Sequence, residues 1–592
     1  MTVEAADSSR TLAARFTVGL LQGAALYVLT DISQHGTAPF INNWTYTSLV
    51  LISLLVPPVL LAGIASMRST TLVAWSLTVA IVAVATAYHA GWREPGVDRF
   101  EHTWLVFPLA CAVFVGHHLL AASNADGRLF ARYATYFETG WRNGIQLALS
   151  LAFLGVFWLL LFLGASLFEL INISFVREVI EKAPFAFIAS TVVFALAVQI
   201  TDERISLVTG ARTIALLLLG WLLPVMTLFV TAFLSSLAFV GLTPLWKTGS
   251  ATAILVVSGA ALITLINATY QDGSEGHSRP FVLRLSARIA AIALVPITVI
   301  AFYSVWLRVE QYGLTPERVI GLAVIALGAI YSFGYAFAAL WPGKWMRPLE
   351  VTNVIAAMLA VFIIMSLLTP IADPARLAVQ DQVWRLRAGL IPVDKFDFDF
   401  LRFDASQYGR EALNALAKDR SSPRAIQIAQ KASDALHRSS RIAQGQPTNT
   451  PPAISPADLR AKIRVFPAGA MLPESFLTQD WTNIANSPAE CVRNAAPNQP
   501  CEATFADIDR DNQQEILLRT NLYRIQVFRN AASRWETLGA FNLGECGLDT
   551  PPNFSAGQFQ IAPSEMNELE VKGHRYRLTE NCPPKIATPV QH

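Results

Sequence analysis

The chain has 592 residues, 53% of them hydrophobic and 15% charged, with a formal net charge of +2 and a mean hydropathy of +0.41. Soluble domains carry about 25% charged residues, so this composition excludes an ordinary soluble protein and points to a polytopic membrane protein. The near-neutral balance offers no footprint for nucleic acid, and none is expected as a partner.

Charge is spread unevenly. Residues 1–371 hold 20 Lys+Arg and 18 Asp+Glu, whereas the shorter remainder holds 25 and 25. A membrane domain followed by a soluble module fits that step. The first apolar segment follows a short polar start with Arg10 and Arg15, and no small-residue cleavage site stands after it, so it is expected to be a retained span.

A membrane-crossing helix needs about 20 mostly apolar residues. Such runs lie near 14–30, 44–66, 71–90, 103–122, 145–172, 184–201, 211–236, 252–271, 287–307, 319–341 and 350–371, which makes eleven. The run at 211–236 is long enough to tilt or project. With the N-terminus inside, thirteen Lys and Arg fall on inside segments and seven on outside loops. That bias favours a cytoplasmic N-terminus, and eleven spans then put the tail outside the cytoplasm.

Ionisable residues in spans are the default functional candidates, because hydrocarbon penalises them. Here they sit near span ends: Asp31, His89, His117, His118, Glu169, Asp202, Arg308 and Glu310. Gln22, Gln146, Gln199 and Asn267 are polar but neutral. Adjacent histidines on a helix point about 100° apart, so His117-His118 suits interfacial anchoring or helix-end hydrogen bonding better than a shared metal. Glu169 is expected to pair with Arg177 or Lys182. "GLTP" occurs at 241–244 and 313–316, where Gly and Pro turn the chain and Thr243 or Thr315 caps the next helix.

Beyond Ile371, Leu377, Val379, Val383, Leu386 and Leu390 recur at roughly helical spacing among Arg376, Arg385 and Arg387, as in an amphipathic helix docked on the bundle. In "KFDFDF" (395–400), Phe396, Phe398 and Phe400 alternate with Asp397 and Asp399, which predicts a half-buried strand. Helices are expected at 406–418 and 423–438, broken at Ser422-Pro423. The Pro-rich "QGQPTNTPPAISP" reads as a linker. The expected domains are therefore a transmembrane domain (1–371), a juxtamembrane helical and strand segment (372–443), a linker (444–457) and a small β-rich domain (458–592). In fold class this is a polytopic α-helical membrane domain followed by a soluble α+β tail.

Four stretches together resemble the bacterial membrane proteins grouped as "domain of unknown function 4153". They are "FETGWRNGIQLALSLAFLGVFWLLLFLGASLFELI" (137–171), "YGLTPERV" (312–319), "LLTPIADPARLAVQDQVWRL" (367–386) and "KFDFDFLRFDASQYGREAL" (395–413). The resemblance implies a multi-pass bacterial membrane protein and, with the charge bias, an inner-membrane location with the C-terminal domain periplasmic; it transfers no catalytic residue.

Cys111 lies alone in a span, whereas Cys491, Cys501, Cys546 and Cys582 belong to the tail. In an oxidising compartment these four suggest two disulfides, with Cys491–Cys501 and Cys546–Cys582 as the pairing by proximity. In "FADIDRDNQQEILLRT" (505–520), Asp507, Asp509, Asp511 and Glu515 gather four carboxylates on a tight turn leading into a strand. Hard oxygen ligands at alternate positions suit Ca²⁺, the one cofactor suggested; an acidic hairpin turn is the structural reading. No G-x-S-x-G, H-E-x-x-H, phosphate-binding or dinucleotide motif is present, so no catalytic residue is expected. The expected function is a scaffold, sensor or envelope role. In it the extracytoplasmic module binds a partner, such as another envelope protein, a ligand or calcium. The alternative is a transporter or lipid-handling protein that works through its bundle.

Overall fold

Inside a bilayer every backbone N–H and C=O must be satisfied within the chain, so each long apolar run has one outcome, a helix. In the computed structural model those runs are α1 (Thr2–His35), α2 (Asn43–Gly63), α3 (Ser69–Arg93), α4 (Val106–Asp126) and α5 (Tyr133–Glu169). After the short helix α6 (Phe175–Ile180) come α7 (Ala183–Glu203), α8 (Ile205–Val240), α9 (Ala251–Tyr270), α10 (Phe281–Tyr312), α11 (Pro316–Leu340) and α12 (Pro348–Leu367). Without α6 these are eleven helices long and apolar enough to cross a membrane. The structure describes residues 2–35, 42–94, 104–243, 245, 250–274, 279–438, 454–467, 469–479, 481, 487–494, 501–508, 513–521, 524–531, 534–542, 569–571 and 574–576. They fall into two compact units, within 1–442 and 443–592.

The bundle turns large apolar side chains outward, such as Leu159 and Phe229, and keeps small ones inside, such as Ala83, Ala87, Ala290 and Ala291. Against lipid, helices associate through close packing rather than the hydrophobic effect, and small residues permit it. α1 meets α7 through Gly19 and Gly23, spaced as in G-x-x-x-G. A Cβ on Gly23 would lie 2.5 Å from Thr191 Oγ1 and 2.6 Å from Ile188 Cα. The same contact buries Arg15, which donates to the Leu61 carbonyl (3.1 Å), Gln199 Oε1 (2.6 Å) and Asp202 Oδ2 (2.8 Å). Arg142 binds the other oxygen of Asp202 at 2.8 Å.

After the last span, α13 (Pro374–Ala388) docks on the bundle with Ala375, Ala378, Val379 and Leu386 buried. It grips the turn between α10 and α11. Asp381 accepts from Leu314 N at 2.7 Å, Gln382 donates to the Tyr312 and Leu314 carbonyls, and Arg385 donates to those of Val309 and Glu310. Gly313 holds φ at +76°, and a Cβ there would strike the Gln382 amide at 2.5 Å. Thr315 then caps α11 and Pro316 starts it, as the repeated tetrapeptide predicts.

Residues 395–400 do not form the expected strand. Val393–Lys395 is a 3₁₀ turn and Phe400–Asp404 a π turn. Phe396 and Phe398 are both buried, with ring centroids 4.8 Å apart, but Asp399 is buried as well and pairs with Arg438. With no strand beside it among the described residues to share its backbone hydrogen bonds, the stretch folds onto α14 (Ser406–Lys418) and α15 (Pro423–His437) instead.

In the second unit, β1 (Arg464–Phe466), β2 (Glu502–Ala506), β3 (Glu515–Asn521), β4 (Arg524–Ala531) and β5 (Arg534–Asn542) form one sheet in that order. The first pair is parallel and the rest antiparallel. Phe476 sits at the centre of its core, 5.0 to 5.5 Å from the rings of Trp481, Trp535 and Phe528. A disulfide between Cys491 and Cys501 ties the helix Pro488–Asn494 to the start of β2. Cys546 and Cys582 lie outside the described residues.

Candidate functional site

Four helices border a half-open cavity of about 440 Å³. α2 lines it with a stripe from Leu54 to Ala62, α4 with one from Phe107 to His118, α5 with Asn143, Gln146 and Leu147, and α7 with Phe194 and Val198. The stripes recur at three- and four-residue steps, so each helix offers one face. Almost the whole lining is apolar. The exceptions are His117, His118, Asn143 and Gln146.

These histidines are not at an exposed helix end, where the sequence suggests interfacial anchoring. They are 4% and 8% exposed. His118 donates from Nδ1 to the Phe114 carbonyl one turn back, and its Nε2 has no partner among the described residues. Neither nitrogen of His117 has one. All three nitrogens are fully buried rather than open to the cavity. Gln146 is anchored by a bond from its Nε2 to the Val198 carbonyl at 3.2 Å.

A second cavity, of about 710 Å³, lies on the other side of Phe114 and His118, which line both. Its wall is more polar and includes Tyr133, Tyr136, Trp141, Asn267, Tyr331 and Asn353. Behind them runs a closed hydrogen-bond network. Asn267 Nδ2 donates to the Tyr335 hydroxyl at 2.8 Å, which donates to Asn353 Oδ1 at 2.6 Å. Asn353 Nδ2 in turn reaches Asn267 Oδ1 at 2.7 Å and the Tyr133 hydroxyl at 3.1 Å. Such a network fixes the wall's shape, since each member is held by the next. Gly140 and Gly144 line the same cavity, and a Cβ on either would meet nothing within 4 Å.

Of the neutral polar residues singled out in the sequence, Gln146 and Asn267 reach the cavities. Gln22 donates to the Ser53 carbonyl, and Gln199 belongs to the Arg15 cluster. Glu169 pairs with Arg177, as expected. Asn143, Tyr133 and Asn353 escape sequence reasoning, although an amide inside an apolar run is the signal that marks Asn143 and Asn353. Arg15 reads as a flanking charge and is instead a buried one.

In the tail, Glu515 is buried and accepts from the Ile508 backbone at 2.7 Å, so it closes the turn between β2 and β3. Asp509 and Asp511 lie outside the described residues. Among the described residues no three His, Cys, Asp or Glu side chains gather as a metal site.

Among the described residues, eleven apolar helices bordering two adjoining clefts define a multi-pass membrane protein. The chain belongs to the family described as Domain of unknown function (DUF4153), which matches residues 27–418. The match covers both cavities and the docked α13 and stops short of the sheet domain. No curated protein and no solved structure matches the chain.

Proposed function

We propose that this protein holds an amphiphilic molecule within its helical bundle, as a lipid-handling protein or transporter does. The observation that carries the reading is the pair of cavities meeting at His118, one almost wholly apolar and the other walled by hydrogen-bonded Tyr and Asn side chains. Known small-molecule pockets occupy about 300–1,000 Å³ and combine apolar walls with a few placed polar groups, and both cavities fall in that class. The test is to purify the full chain, exchange its detergent and measure retained amphiphiles by mass spectrometry. Gly140→Leu/Gly144→Leu fills the larger cavity and should lower the retained amount at least fivefold. Equal retention by the folded variant would remove the larger cavity from the binding site.

A second reading concerns the tail. An inner-membrane protein with its N-terminus in the cytoplasm would present residues 458–592 to the periplasm as a scaffold or sensor module. The odd number of spans, the thirteen-to-seven charge bias and the Cys491–Cys501 disulfide support that orientation. A reporter active only outside the cytoplasm, fused after Gln446, should give signal. A signal from the complementary cytoplasmic reporter would reverse the orientation.

A further inference from the structure

The stretch at 395–413 carries two arginines at the end of the bundle where α13 docks. Arg402 lies in the π turn and Arg410 in the second turn of α14. Gly409 brings them together. A Cβ there would overlap the Leu401 carbonyl, so the π turn rests directly on the backbone of α14. Each arginine follows one of the two touching residues, and both side chains are half-buried.

Their bonds are few. Arg410 donates from Nε to Gln407 Oε1 (3.1 Å) and from Nη2 to the Arg93 carbonyl (3.4 Å). Arg402 has no hydrogen bond and no ion pair among the described residues; its guanidinium stands 5.8 Å from the ring centre of Phe403. Its Nε is shut away, whereas its two Nη groups reach the surface. The nearby carboxylates are engaged elsewhere. Asp373 serves His89, Arg93 and the start of α13. Glu94 accepts from Ser406 at 3.2 Å and lies 3.4 Å from Arg93 Nε. Burial lowers the pKa of Arg410 and the charge on Arg402 lowers it further, with Glu94 opposing. Two half-buried like charges, neither in an ion pair among the described residues, favour an anion from outside.

Depth in the membrane names that anion. Arg93 is the last residue of α3, and its guanidinium lies 5.5 Å from the ring centre of Trp104, just before α4. Trp92 and Trp104 are exposed, and Trp92 meets Tyr408 edge-on at 5.0 Å. Tryptophan and tyrosine at span ends mark the level of lipid headgroups. The rigid fork of an arginine matches phosphate oxygens two at a time.

We propose that Arg402 and Arg410 form a binding site for the phosphate group of a membrane phospholipid, at the corner of α3 and α14. The site is separate from both clefts, since α3 and α14 line neither, and it does not depend on what they hold.

The delipidated full chain in detergent is titrated with dioleoyl phosphatidate or dioleoylglycerol, and bound lipid is counted by native mass spectrometry. Phosphatidate should bind roughly tenfold more tightly, the effect of about one charge-assisted hydrogen bond. Arg402→Gln should remove that advantage and leave dioleoylglycerol binding unchanged. Arg410→Gln should do the same, and stands in should Arg402→Gln not fold. Arg387→Gln, at an exposed arginine of α13, should keep the advantage. Equal binding of the two lipids by the wild type, or an advantage that survives both Arg402→Gln and Arg410→Gln, would overturn the site. An advantage lost equally in Arg387→Gln would overturn it too, by reducing it to diffuse positive charge. Inorganic phosphate at the same concentration should not displace phosphatidate; displacement would overturn the lipid as the source of the phosphate.

Discussion

Asp373 divides two tasks between its two carboxylate oxygens. Oδ1 caps α13, accepting from the backbone N–H groups of Ala375 (2.8 Å) and Arg376 (3.3 Å). Oδ2 accepts from His89 Nε2 at 2.9 Å and from Arg93 at 3.4 Å, both on α3. Arg93 in turn reaches Ser406 at the start of α14, so one fully buried carboxylate joins three helices. Burial pushes its pKa up, but the bond from His89, the Arg93 charge and the two amides outweigh that and hold it below the usual carboxylate range. A carboxyl depressed by folding contributes stability above its unfolded value of about 4, and the contribution is lost as pH falls through the folded value. The melting temperature of the purified chain should therefore drop on the acid side of about pH 4, and Asp373→Asn should flatten that limb. At neutral pH Asp373→Ala should cost about 3–5 kcal/mol, as expected when one partner of a buried pair is removed. Asp373→Asn keeps a capping oxygen and should cost about 1 kcal/mol less. Thermal unfolding of the three proteins across pH checks both. Asp before Pro is a legible helix start in the sequence. Its bond to His89 is not, because 284 positions separate the two residues.

At the level of elements, hydropathy locates every span because the bilayer leaves one backbone solution per apolar run. Packing between spans follows rules that hydropathy does not carry. Gly19 and Gly23 stand in an ordinary apolar run, and only the structure shows that they bring α1 onto the backbone of α7. Gly23→Leu should force these helices apart and destabilise the chain by about 1–3 kcal/mol, an overpacking cost. A melting curve unchanged from wild type would mean that the contact yields freely. The aromatic–aspartate alternation at 395–400 misleads for a related reason. Period-two patterning predicts a strand only where a partner strand exists, and α13, α14 and α15 supply helices there. The same segment's burial is half legible, since Phe396 and Phe398 do enter the core.

Across the whole molecule, the two units differ in how much their sequences disclose. The first is long, apolar and periodic, so its architecture follows from composition. Its cavities do not, because an empty volume results from side chains that fail to meet across helices far apart in sequence. Cys491 and Cys501, ten positions apart, are paired as proximity suggests, and of the carboxylate-rich turn Glu515 is bound to the Ile508 backbone. Replacing Gly140 and Gly144 should leave the fold standing. Each is a glycine inside a helix, and leucine there should add roughly 1 kcal/mol of helix stability per site. A melting temperature at or above wild type, together with reduced amphiphile retention, is the expected combination.

Those two glycines separate capacity from stability. At most positions in a packed protein a larger side chain disturbs its neighbours, so a change in what the site admits also disturbs the fold. At the Gly140–Gly144 wall a new carbon meets only open space. Alanine at either position therefore takes a methyl group's volume from the larger cavity without touching a neighbour. A lineage carrying this wall can narrow the volume beside it by a methyl group at a time without rebuilding the bundle.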